Sequence, residues 1–93
     1  MSDAIFRADP PEARRMVMLD GVALIFHRPS GLTHIVAPPA PQILEALGEG
    51  DASPDTLLER LQRDYDFGAA DDLAAALDAR LAELETAGLV WRP

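Results

Sequence analysis

From Met16 to Val36 the chain reads MVMLDGVALIFHRPSGLTHIV, three apolar runs with a turn signal between each pair. Asp20-Gly21 suits a two-residue hairpin turn, because both central residues of a type I′ turn need positive φ. That turn pairs Leu19 with Val22, Met18 with Ala23, Val17 with Leu24 and Met16 with Ile25. The next turn, Arg28-Pro29-Ser30-Gly31, is a four-residue loop in which Pro presets φ and Gly takes the unusual conformation. It pairs His27 with Leu32, Phe26 with Thr33, Ile25 with His34 and Leu24 with Ile35.

Side chains alternate across a strand, so these two registers assign two faces. Val17, Leu19, Val22, Leu24, Phe26, Thr33 and Ile35 share one, and Met16, Met18, Ala23, Ile25, His27, Leu32, His34 and Val36 share the other. The first face is richer in branched and aromatic groups and is expected to face the core. The second is expected to be partly wet, or covered by Ile5 and Phe6 folding back, or by a partner.

After Val36 the period changes. Ile43, Leu44 and Leu47 fall at helical spacing after a proline-rich start and before Gly48. Ser53 followed by Pro54 is an N-cap signal, and it opens a second helix with Leu57, Leu58, Leu61 and Tyr65 on one stripe and a Glu59–Arg63 pair on the wet side. The segment from Asp66 to Asp72 breaks it. A third helix carries Leu73, Leu77, Leu81 and Leu84 and stops at Gly88, with Leu89 placed to pack back as in a Schellman motif. Its many alanines suit a helix and leave a smooth face.

The reading is therefore an α+β, winged-helix-like chain, a three-stranded antiparallel sheet followed by three helices. A single domain spans residues 1–93: an N-terminal extension over 1–14, the sheet over 15–36 and the helical part over 38–90. Without cysteine, neither a disulfide nor a thiolate-bound zinc can hold it together, so the core must suffice. The N-terminus lacks a secretory pattern, and no run approaches the roughly 20 apolar residues that span a bilayer. The expectation is a cytoplasmic protein with no membrane partner.

No phosphate loop, nucleophile elbow or metalloprotease motif is present. His27 and His34 share a face one diagonal apart, but a zinc site needs further ligands, so no metal and no cofactor are assigned. Asp71 and Asp72 open a helix, where acids are favoured by the dipole, which leaves them without a catalytic task. The chain is read as a non-enzyme.

Net charge is −8, and it resides in residues 37–93, where twelve acids face Arg60, Arg63, Arg80 and Arg92. A winged helix would ordinarily suggest DNA binding, yet the third helix carries Asp71, Asp72, Asp78, Glu83 and Glu85 against Arg80 alone. Nucleic-acid affinity comes largely from cations on phosphates, so that face repels a duplex and no nucleic-acid partner is expected.

The segments MVMLDGVALIFHRPSGLTHIVAPPAPQILEAL, SPDTLLERLQRDYD and LAAALDARLAELETAGLV, within about Arg15 to Val90, resemble the PqqD-like family, the precursor-peptide recognition elements of ribosomally made, post-translationally modified peptides. HRPSGLTHIVAPPAPQILEAL is similar to the subgroup found with an HPr-kinase-related protein, the HPr-rel-A type. The resemblance implies a peptide chaperone in natural-product biosynthesis, without an active site, that captures a leader peptide and presents it to a peptide-modifying enzyme. It implies strand addition: the leader pairs with the open edge of the third strand, Leu32, Thr33, His34, Ile35 and Val36, and its apolar groups enter a groove walled by Leu73, Ala76, Leu77 and Arg80. Thr33 and Ile35, expected to face the core, would contribute backbone alone. Arg80 would meet an acidic leader residue or pair with nearby acids such as Glu83. The competing reading is a self-associating structural or adaptor module, a homodimer that pairs third strands or buries the face of Met16, Met18 and Ile25.

Overall fold

The computed structural model describes residues 4–66, 68 and 70–92. Its elements are β1 (Arg7–Ala8), a 3-10 turn (Pro11–Ala13), β2 (Arg14–Leu19), β3 (Val22–His27), β4 (Leu32–Val36), α1 (Ala40–Leu47), α2 (Pro54–Asp64), α3 (Ala70–Thr86) and β5 (Val90–Trp91). Strands β2, β3 and β4 form an antiparallel sheet in that order, and the three helices follow it, an α+β fold. Each pair expected from the two turns is the observed pair. Asp20 and Gly21 both take positive φ, 38° and 83°, as the two-residue turn requires.

The faces are reversed from the expectation. Ala23 and Ile25 are fully buried and His27 is 7% exposed, while Leu19 is 49% and Ile35 71% exposed. Ile25 belongs to the same core as the helices, and Met16 and Val36 pack against that core. The count of branched side chains favoured the other face, but a sheet buries the side on which its helices land. Here the chain leaves β4 through Ala37–Pro39 and lays the helices against Ile25. Two further inner-face positions, Met18 and Leu32, lie at opposite ends of the sheet and remain exposed.

The helical core is built from the expected stripes: Ile43, Leu44 and Leu47 of α1, Leu57 and Leu61 of α2, and Leu73, Leu77, Leu81 and Leu84 of α3. Ser53 caps α2 by accepting from the Thr56 N–H. Helix α3 ends in a Schellman motif, in which the Leu89 N–H reaches the Leu84 carbonyl at 2.9 Å and the Gly88 N–H reaches that of Glu85 at 3.1 Å. Arg63 does not pair with Glu59. It bonds Glu49 and Asp64, because the turn after α1 brings Glu49 within its reach. Arg60 donates to the carbonyls of Ala46 and Gly50 and so closes the C-terminal end of α1. The expected break between α2 and α3 includes Phe67 and Ala69, which lie outside the described residues.

Residues 6–13 are tied into the fold. Strand β1 pairs with β5, Phe6 exchanges backbone hydrogen bonds with Ala52, and the Phe6 ring is buried in the core. The Arg92 guanidinium lies 5.4 Å from the centre of that ring. Ile5 stays exposed, so the helices, not Ile5, close the inner face. Among the described residues, no helix is long and apolar enough to cross a membrane.

Candidate functional site

Strand β4 is an edge of the sheet, with β3 on one side and, among the described residues, no strand on the other. Backbone polar groups in an antiparallel pair alternate between the partner strand and the opposite side. The turn at Asp20-Gly21 closes on Leu19↔Val22, so Val22, Leu24 and Phe26 bond to β2, and the Arg28 N–H continues that series to the Ala13 carbonyl at 2.7 Å. Ala23, Ile25 and His27 therefore turn to β4 and meet Val36, His34 and Leu32. What remains at the open edge is the N–H and C=O of Thr33 and Ile35.

Beside that edge runs a groove against α3. Its centre is a cavity of about 310 Å³ with His34, Ile35 and Val36 on one wall and Arg80, Glu83 and Leu84 on the other. Toward the end of α3 it opens into a shallow apolar continuation of about 420 Å³ that adds Thr86 and is bordered by His34 and Ala87. One turn in the other direction, Pro38, Pro39, Leu73 and Ala76, with Asp72 among them, line a recess of about 230 Å³.

The sequence-predicted residues distribute over this arrangement unevenly. Leu32 and Thr33 are exposed, His34 and Val36 are half-buried on the inner side, and Ile35 is exposed at the rim. The Ile35 and Thr33 side chains point to the outer face, so both are available as side chains as well as backbone, contrary to expectation. Leu77 is buried in the core and lines none of these three spaces, Leu73 and Ala76 line the proline recess, and Arg80 lines the central cavity. Glu83, Leu84 and Ala87 also line the cavity and were not assigned to the groove from sequence, where Leu84 was read as core and Glu83 as a partner of Arg80. They continue the helical face of Ala76 and Arg80 at spacings of three and four, and extending that stripe by two turns finds them.

Arg80 donates to Glu83 at 2.6 Å, so the cation of the groove is met by its own helix. The His34 Nε2 is buried without a hydrogen-bond partner. His27 has both ring nitrogens engaged, one 2.6 Å from Asp9 Oδ2 and the other 2.8 Å from Ser30 Oγ. Among the described residues no group of three metal-ligating side chains is assembled. Arg14 anchors the far edge of the sheet by donating to the carbonyls of Asp9 and Leu44, and its burial holds the guanidinium below its ordinary value, against opposing pulls from Asp9, Glu45 and Glu12. An exposed backbone edge flanked by an apolar groove can accept an extended chain, hydrogen-bonded along one side and with alternate side chains in the groove.

The fold is similar to that of a solved structure described as "Lasso peptide synthetase B1 complexed with the leader peptide", with a TM-score of 0.61 at 21% identity over 92% of this chain and 96% of that one. No protein-family model and no curated protein matches the chain.

Proposed function

We propose that this protein is a non-catalytic peptide chaperone of the PqqD-like kind, with the HPr-rel-A type as its subgroup. It binds the leader of a ribosomally made precursor peptide as a fourth strand on β4 and presents the rest to a separate modifying enzyme in the cytoplasm. The observation that carries this reading is the pair of outward backbone positions, Thr33 and Ile35, beside a groove lined by α3. A fold in common with a protein solved in complex with a leader peptide supports it. Backbone pairing gives sequence-tolerant affinity, and the groove selects among side chains.

The acidic surface of the helical half speaks against nucleic acid as the ligand. An acidic leader side chain has to displace Glu83 to reach Arg80, whereas the recess of Pro38, Leu73 and Ala76 offers apolar side chains a mostly apolar lining with Asp72 as its one charged member.

The test is an NMR titration of labelled protein with leader peptides encoded near its gene. Shifts gathered on residues 32–37 and 80–87 are expected. Ile35→Pro removes an outward N–H while leaving the β3–β4 ladder intact, and it is expected to weaken binding at least tenfold, about 1.4 kcal/mol or more. Proline at His34 is a poorer probe, because the His34 backbone belongs to the ladder with Ile25. Undiminished affinity in a folded Ile35→Pro protein rules out edge pairing.

A further inference from the structure

The outer face of the sheet is an exposed apolar surface. Val17, Leu19, Phe26 and Ile35 are each more than two-fifths exposed, and Val22 and Leu24 are half-buried between them. Strands of six residues give a face roughly 20 Å long, and a contiguous apolar patch of this kind on a small protein marks an interaction site.

Its charges are arranged end to end. Arg15 shares this face with Val17 and Leu19 and lies at one end of the sheet, and Arg28 lies in the turn at that same end. Asp20 closes the hairpin at the opposite end. The other six arginines of the chain are bonded to carboxylates or backbone carbonyls, whereas among the described residues the side chains of Arg15, Arg28 and Asp20 have no hydrogen-bond or ion-pair partner. The face is thus a strip with positive groups at one end, a negative group at the other and apolar side chains between them.

We propose that the occupant is a second copy of this chain, with the two outer faces packed together about a two-fold axis that crosses the strands. A two-fold interface must be self-complementary. Turning one sheet end for end about such an axis lays β2 over its counterpart, so Arg15 of each copy approaches Asp20 of the other while the apolar strips meet. The aligned packing of two sheets, about 10 Å apart, accommodates this. Three strands about 4.8 Å apart and roughly 20 Å long span well under the roughly 800 Å² per partner of a standard stable interface, so the dimer is a weak, concentration-dependent one. It leaves the β4 edge open, in contrast to a dimer that pairs β4 with β4.

The test is analytical ultracentrifugation of the full chain without peptide, from micromolar to millimolar concentration, so its outcome is independent of the peptide-binding reading. A monomer–dimer equilibrium is expected, weakened about tenfold or more by Val17→Glu, a substitution at an exposed position that leaves the core untouched. Arg15→Asp and Asp20→Lys are each expected to weaken self-association, and an equimolar mixture of these two variants is expected to restore it as a heterodimer. A chain that stays monomeric throughout overturns the proposal. So does a dimer indifferent to Val17→Glu but lost in Ile35→Pro, which means edge pairing, and so does a mixture of the charge variants that fails to associate.

Discussion

The inner face of the sheet holds two methionines, two histidines, an alanine, a leucine and a valine around Ile25, while the outer face holds valines, leucines, an isoleucine and a phenylalanine, and it is the centre of the inner face that is buried. Hydrophobic content ranks the two faces one way and burial ranks them the other. The difference lies in what each face is asked to meet. The inner face receives the helices around Ile25, and the buried His27 is acceptable there because Asp9 and Ser30 engage both ring nitrogens. The outer face is met by no element among the described residues, so its apolar side chains are left for another molecule.

The contrast is broken most severely by a cavity under the helices. Ile25→Ala is expected to cost about 3 kcal/mol in urea unfolding, and Leu19→Ala on the outer face about 0.5 kcal/mol or less. Equal losses would mean that the two faces are not different in kind. A smaller effect tests the polar exception. Asp9→Ala leaves one buried His27 nitrogen without its partner and is expected to cost about 1–3 kcal/mol, measured the same way; an unchanged midpoint would show that the inner face does not depend on that bond.

The smallest effect separates both faces from the exposed ion pairs of the helical half. Arg63 holds the Asp64 carboxyl below its ordinary value, and Arg92 does the same to Glu85, in each case chiefly through a side-chain hydrogen bond. A carboxyl depressed in the folded state stabilises it above the unfolded value and loses that contribution as pH falls through the folded one. A slight loss of thermal stability is therefore expected below pH of about 4, reduced by high salt, because all four groups are open to solvent. Arg63→Gln combined with Arg92→Gln is expected to flatten this part of the pH profile; an unchanged profile would assign the acid dependence to other carboxylates.

Much of the architecture was legible along the chain because its signals are local. The Asp20-Gly21 turn sets one register, the Arg28–Gly31 loop sets the next, and Ser53, Gly48 and Gly88 mark helix ends by the conformations and hydrogen bonds they supply. The β4 edge followed from strand order, and the helical wall of the groove followed in part, through Ala76 and Arg80. Leu77 was misplaced toward the groove because a periodic stripe does not say which of its members faces a cleft and which faces the interior. The pairing of β1 with β5 left no trace in the sequence, since two-residue strands carry no period.

Turns, registers, helix limits and the set of residues on each face are consequences of the chain itself, because they depend on backbone preferences and spacings over a few residues. Which face is buried, where Phe6 and Asp9 attach, and how far the groove extends along α3 to Leu84 and Ala87 are consequences of tertiary packing. They depend on where the helices come to rest after Pro39, and that position is set by contacts between segments far apart in sequence.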